Sequence, residues 1–345
     1  MKKASKLLAA CGASALLCCG LALTACSGAA SNTENANQAS NQATNEASNQ
    51  AEGEAQASLV DIDINASYDI YDVTGDGTAD TFRIKMEEPS GSDDDYFCSS
   101  TKVKVNGETA LKFGGAKKGL YYYGGNAKLA TLANGQVFLS LILWGEDDST
   151  EAGGLYRYEN AEEGFKQVVD FTGFFGEGYG SHESAEIDRV EGSSIFVKHS
   201  LMSAMLGAGF TATYEYQCAD DGTLSQLSNQ TSEINVTTMN DDGTVNDDEA
   251  ANEASNEAAN TSESSENDGY LTCQTTLKGY DTPQAEESTA TFEYGTMMKP
   301  IAVFVDDGDF WVQFDVKDDG EYWVPSVTFA ESTSQQPFKE IFYAG

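Results

Sequence analysis

From residue 58 onward, apolar residues recur at every second position or in short unbroken runs, and no long helical period follows. Val60, Ile62 and Ile64 alternate with polar neighbours, as do Phe82, Ile84 and Met86. Alternation places one set of side chains on one face of an extended chain, so both segments predict half-buried strands. Asn106-Gly107 interrupts the apolar runs of Thr101–Phe113, the pattern of a two-residue hairpin. Val137–Trp144 is apolar almost throughout and predicts a central strand covered on both faces. Leu155–Tyr158 and Phe165–Phe171 flank a polar turn. Ile195–Val197 and Ala212–Cys218 add strands, the second turning at Asp221-Gly222 toward Leu224. Leu201–Leu206 has the length of one helical turn.

The same language returns after residue 268. Tyr270–Thr276, Thr289–Tyr294, Met298–Val303, Phe310–Val316 and Tyr322–Pro325 read as strands, with Asp-Gly turns at Asp307-Gly308 and Asp319-Gly320. Between and before these blocks lie two stretches built of Ala, Ser, Asn, Gln, Glu, Thr and Gly, at 26–57 and 239–268. They hold almost no large apolar residues whose burial could offset the entropy of ordering, so both are expected to be disordered. The first would be a stalk with a reach of roughly 30 Å. The expected fold class is all-β. Residues 58–238 would form a partial propeller or a sandwich, and 269–345 a small barrel with an apolar tail.

Composition narrows the partners. The formal charge is −37 over 345 residues. Such a chain has no electrostatic route to phosphate backbones, so nucleic acid is not expected as a partner, and divalent cations are. Past residue 26 the cysteines are Cys98, Cys218 and Cys273, an odd number that allows at most one internal disulfide. Cys98–Cys218 is the candidate pair, with buried free thiols as the alternative.

The sharpest motif is Asp72-Val73-Thr74-Gly75-Asp76-Gly77-Thr78-Ala79-Asp80. Oxygen ligands at alternate positions around a glycine turn form the first part of a calcium loop. The candidate ligands are the carboxylates of Asp72, Asp76 and Asp80, the hydroxyl of Thr74 and the carbonyl of Thr78. An EF-hand would need a Glu at the twelfth position, which is Arg83, inside a predicted strand. The segment through Met86 instead resembles an FG-GAP/VCBS-type repeat, whose acidic loop leads directly into a strand and binds calcium. Thr74 stands where that family has Asn or Asp. The alternative is an Asp/Gly-rich turn that holds no metal.

Residues 269–326 resemble the bacterial Src-homology-3-like family, with the turn Tyr280-Asp281-Thr282-Pro283, Trp311 and Trp323 in its aromatic places, and Tyr322 where the family has glycine. The resemblance implies a barrel that binds peptidoglycan or short peptides, with Tyr280, Trp311 and Trp323 as ligand-facing aromatics. Core packing is the alternative role for all three.

At the other end, Lys2, Lys3 and Lys6 precede an apolar run from Leu7 to Ala22 and then Leu23-Thr24-Ala25-Cys26. The run is short for a membrane span and closes on small residues. The segment 1–25 resembles the signal peptide of bacterial lipoproteins, and the tetrapeptide their lipobox. The resemblance implies that Cys26 carries the lipid and that the chain is tethered to the extracytoplasmic face of the cell membrane. No nucleophile elbow, phosphate loop or zinc helix occurs, and Ser181-His182 adjacency is poor geometry for a nucleophile and its base. The expected function is non-catalytic binding or adhesion to wall polymer, polypeptide or a host-surface ligand. The alternatives are a wall-modifying hydrolase with an acid pair formed only in space and an accessory subunit of an envelope complex.

Overall fold

The computed structural model describes residues 56–87, 98, 100–114, 124–145, 150–176, 183–203, 205–239, 245–246, 269–326 and 336–341. Cys26, the expected signal segment 1–25, nearly all of the expected stalk and His182 lie outside them.

The strands follow the alternation closely. In chain order they begin with β1 (Ser58–Asp61), β2 (Ser67–Tyr71), β3 (Asp80–Glu87), β4 (Ser100–Val105), β5 (Glu108–Gly114), β6 (Gly124–Thr131), β7 (Val137–Trp144), β8 (Thr150–Asn160) and β9 (Gly164–Asp170). Next come β10 (Ser184–Glu191), β11 (Ser194–Ser203), β12 (Gly207–Cys218), β13 (Leu224–Gln226), β14 (Gln230–Thr231), β15 (Ile234–Asn235), β16 (Thr238–Met239) and β17 (Val245–Asn246). The last are β18 (Leu271–Thr272), β19 (Leu277–Gly279), β20 (Ala290–Phe292), β21 (Met297–Asp306), β22 (Asp309–Val316) and β23 (Gly320–Pro325). The protein is all-β, and the described residues contain no helix. Leu201–Ser203 continues β11, and the chain turns at Met205-Leu206 into β12, so the helical turn expected over Leu201–Leu206 is absent.

Antiparallel pairing builds successive meanders. β2-β3-β4-β5 form one sheet, β1-β6-β7-β8-β9 a second, β10-β11-β12-β13 a third with β15 on β12, and β14-β21-β22-β23 a fourth with β18 on β21. β7 lies at the centre of the second sheet, and its run of apolar residues serves both faces. Leu139, Leu141 and Leu143 enter one core with Phe82, Ile84, Val103 and Val105 of the first sheet. Phe138 and Ile142 enter the larger core with Ile187, Val197, Phe210 and Tyr214 of the third. Two covered faces explain why this strand lacks alternation.

The expected boundary at 239–268 does not separate two cores. β14 precedes it and pairs with β21 beyond it, Gln230 opposite Phe304 and Thr231 opposite Val303. Phe310 of β22 packs against Phe175 and Phe210, with ring centroids 5.0 and 5.8 Å apart. Thr238–Met239 and Val245–Asn246, at the start of the segment expected to be disordered, pair as a short hairpin, and Thr238 also bridges Ile341. The remainder of that segment lies outside the described residues. A fourth sheet that borrows a strand and buries its apolar face in the common core is not a free-standing unit. The tail joins in: Phe338 packs on Phe314, and Glu340 accepts hydrogen bonds from the Thr272 N–H at 2.6 Å and its hydroxyl at 2.7 Å.

Candidate functional site

The acidic loop links β2 to β3 and is closed by its own hydrogen bonds. Asp72 Oδ1 accepts the N–H groups of Gly75 at 2.7 Å and Asp76 at 3.1 Å, and Oδ2 accepts that of Gly77 at 2.7 Å. Positive φ at Gly75 and Gly77 turns these N–H groups inward. Asp80 is buried. Its Oδ2 accepts from Val73 and Thr74, both at 2.8 Å, and its Oδ1 from Asn106 Nδ2 at 2.7 Å. Asp76 is exposed, and the hydroxyl and N–H of Thr78 hold its carboxyl below the usual carboxylate range. Of the three expected carboxylate ligands, only Asp76 is exposed; Asp72 is half-buried with both oxygens turned onto backbone N–H groups of the loop, and Asp80 is buried and fully engaged. Among the described residues no three acidic, histidine or cysteine side chains gather around one cation-sized centre.

In the fourth sheet the three expected aromatics meet on the face turned away from the larger core. Tyr280 and Trp323 exchange backbone hydrogen bonds at 2.9 and 2.8 Å, and the Tyr280 ring meets Trp311 edge-on at 5.3 Å. Trp323 is only 4% exposed and contacts Phe304, so it is a packing residue. Tyr280 and Trp311 stay half-buried and present an aromatic pair to solvent.

The Cys98–Cys218 disulfide is not formed. Cys218 ends β12 inside the larger core, where its thiol is free and donates to the Ala219 carbonyl at 3.3 Å. Cys98 leads into β4, in the sheet that carries the smaller core. Cys273 is likewise a buried free thiol, donating to the Thr275 carbonyl at 2.7 Å. Burial pushes both the Cys218 and Cys273 thiols up from their ordinary range.

Two buried titratable groups outside these motifs stand out, His199 and Glu183. His199 is fully buried in β11, stacked on Phe174 with centroids 3.8 Å apart, and neither ring nitrogen has a hydrogen-bond partner. Burial lowers its pKa to about 3, so the ring is neutral. Glu183, also buried, accepts the Phe174 N–H at 2.7 Å, and desolvation raises its pKa to about 7. Its carboxyl lies under the 171–176 turn. The side-chain parity of Ile195, Val197, His199 and Leu201 was the available sign that His199 points inward.

A cleft of about 290 Å³ opens where the ends of β6, β7 and β8 meet β10 and β11. Trp144, Asn126, Thr150, Ser184, Glu186 and Ser200 line it. Comparison with protein-family models, with curated proteins and with solved structures finds no match for this chain.

Proposed function

We propose that the chain is a non-catalytic lipoprotein of the bacterial surface, held to the extracytoplasmic face of the membrane by lipid on Cys26. Residues 26–57 act as a stalk, and the β-rich unit binds wall polymer, polypeptide or a host-surface ligand. The observation that carries this reading is the order Lys2, Lys3, Lys6, an apolar run, Leu23-Thr24-Ala25-Cys26 and then a long polar stretch. A charge of −37 supports it, because repulsion from anionic lipid keeps the unit clear of the membrane that holds it. The half-buried Tyr280–Trp311 pair is the surface that best matches the Src-homology-3-like resemblance. Calcium belongs to this reading as an addition to the acidic loop at the exposed carboxylate of Asp76, and not as the element that closes it, because Asp72 and Asp80 already do so through backbone N–H groups.

Labelled palmitate fed to a bacterium expressing the chain tests the anchor. Label on the wild type and none on Cys26→Ala is the expected result, and an unlabelled wild type removes the anchor. The chain is then offered wall and host polysaccharides while soluble fragments are followed. Saturable retention without fragments is expected, and released fragments would replace binding with the hydrolase alternative.

A further inference from the structure

The cleft between the second and third sheets has a composition that the fold does not require. Trp144 ends β7, and its indole lies across Gly124 on β6. A Cβ at Gly124 would sit 2.4 Å from Nε1 and 2.6 Å from two ring carbons, so only glycine admits the ring there. Around it, the side chains of Asn126, Ser184 and Ser200 make no hydrogen bond among the described residues, although each lines the cleft. Charge, by contrast, is spent internally. Both oxygens of Glu186 are taken, one by Lys128 at 3.3 Å and the other by Lys198 at 3.2 Å. The opening therefore offers an aromatic ring, one carboxamide and three hydroxyls, those of Ser184, Ser200 and Thr150, the last buried and also without a partner, and no unpaired charge. Its volume, about 290 Å³, is at the small end of ligand sites, which run from roughly 300 to 1,000 Å³.

An indole beside unspent neutral hydrogen-bonding groups suits a ring with apolar C–H faces and hydroxyls at its edge. Hydroxyls and a carboxamide both donate and accept, as sugar hydroxyls do. An anionic ring would meet the field of a strongly acidic chain. We propose that this cleft binds one neutral saccharide ring, packed against Trp144 and hydrogen-bonded by Asn126, Ser184 and Ser200. The inference rests on the reading of the protein as a non-catalytic binder and names the ligand class of one site within it.

The test uses the full chain, with glucose, galactose and N-acetylglucosamine as probes and glucuronate as the charged control, read by saturation-transfer NMR in the millimolar range. Saturable contact with at least one neutral sugar is expected, with glucuronate weaker. Trp144→Ala should weaken binding about tenfold. Because Trp144 also packs on the core, Asn126→Ala and Ser200→Ala serve as gentler variants, each expected to weaken binding about threefold to tenfold with an unchanged melting temperature. No contact from any neutral sugar, or binding indifferent to all three substitutions, overturns the proposal. Polysaccharide retention that survives those substitutions would place recognition elsewhere and leave the broader binding function standing. Fragment release would instead defeat the non-catalytic reading itself.

Discussion

Asn106 and Asp80 tie two local motifs into one structure. Asn106 Nδ2 donates to Asp80 Oδ1 at 2.7 Å, its Oδ1 accepts the Thr81 N–H at 3.0 Å, and its own N–H reaches the Thr81 carbonyl at 2.7 Å. The left-handed backbone that fits Asn106 and Gly107 to the β4–β5 turn, with φ of 51° and 88°, aims this side chain at the acidic loop. The loop is therefore anchored from beneath by a hairpin 26 residues away.

Asp80→Asn should cost about 2 kcal/mol, since an amide cannot accept from both the Val73–Thr74 N–H groups and Asn106. The loss should appear equally in millimolar calcium and in chelator. Asp76→Asn, on the exposed rim, should leave melting in chelator unchanged and abolish any rise with calcium. Thermal melts of wild type and both variants across a calcium titration check this. A wild type flat across the titration would end the calcium proposal and leave the hydrogen-bonded loop.

Where the sequence was legible, the signal was local. The strand alternation of β3, the Asn106-Gly107 turn and the doubly covered β7 each follow from a few adjacent residues. The misplaced features depend on partners distant in the chain. His199 lies two residues past the expected strand Ile195–Val197; in the longer strand Ser194–Ser203 the same parity sends it into the core. Cys98 and Cys218 share the block 58–238, but Cys98 precedes β4 of the first sheet whereas Cys218 ends β12 of the third. The cleft at Trp144 unites residues from 126 to 200, and no spacing in the sequence announces it. The polar composition of 239–268 marks a boundary because composition reports on a segment, whereas β14 finds its partner some 70 residues later on β21.

Glu183 and His199 should give the stability opposite dependences on pH. Desolvation raises the folded pKa of Glu183 from 4.5 to about 7, against the pull of the Phe174, Phe175 and Gly173 N–H groups. Its contribution is complete below pH 4.5 and is lost as pH rises through 7, about 3 kcal/mol in all. His199 falls from 6.5 to about 3, so its contribution is complete above pH 6.5 and declines by about 1.4 kcal/mol per unit as pH falls toward 3. Between 4.5 and 6.5 the two largely cancel. Glu183→Gln should gain stability at pH 8 and none at pH 4, and His199→Phe should gain at pH 5 and none at pH 8. Denaturant titrations at these pH values read both, and a variant whose difference from wild type does not change with pH would refute its assignment.

The last prediction concerns cooperativity. Gly176, in the turn after β9, lies against Gly308 in the β21–β22 turn. A Cβ on Gly176 would come within 2.5 Å of the Gly308 carbonyl oxygen, and φ at Gly176 is +98°. This contact, the β14–β21 pairing and the Phe175–Phe310 rings join the two sides of 239–268 through backbone, sheet and core together. Calorimetry of the chain should show one unfolding transition and not two. Gly176→Ala should lower that single transition, by about 2 kcal/mol or more, through backbone strain and the clash with Gly308. A chain ending at residue 238 would expose Phe175 and Phe210 and leave β14 without its partner, and should not regain a sharp transition. Two resolved transitions in the intact chain, with Gly176→Ala shifting only one, would show that the sides unfold independently.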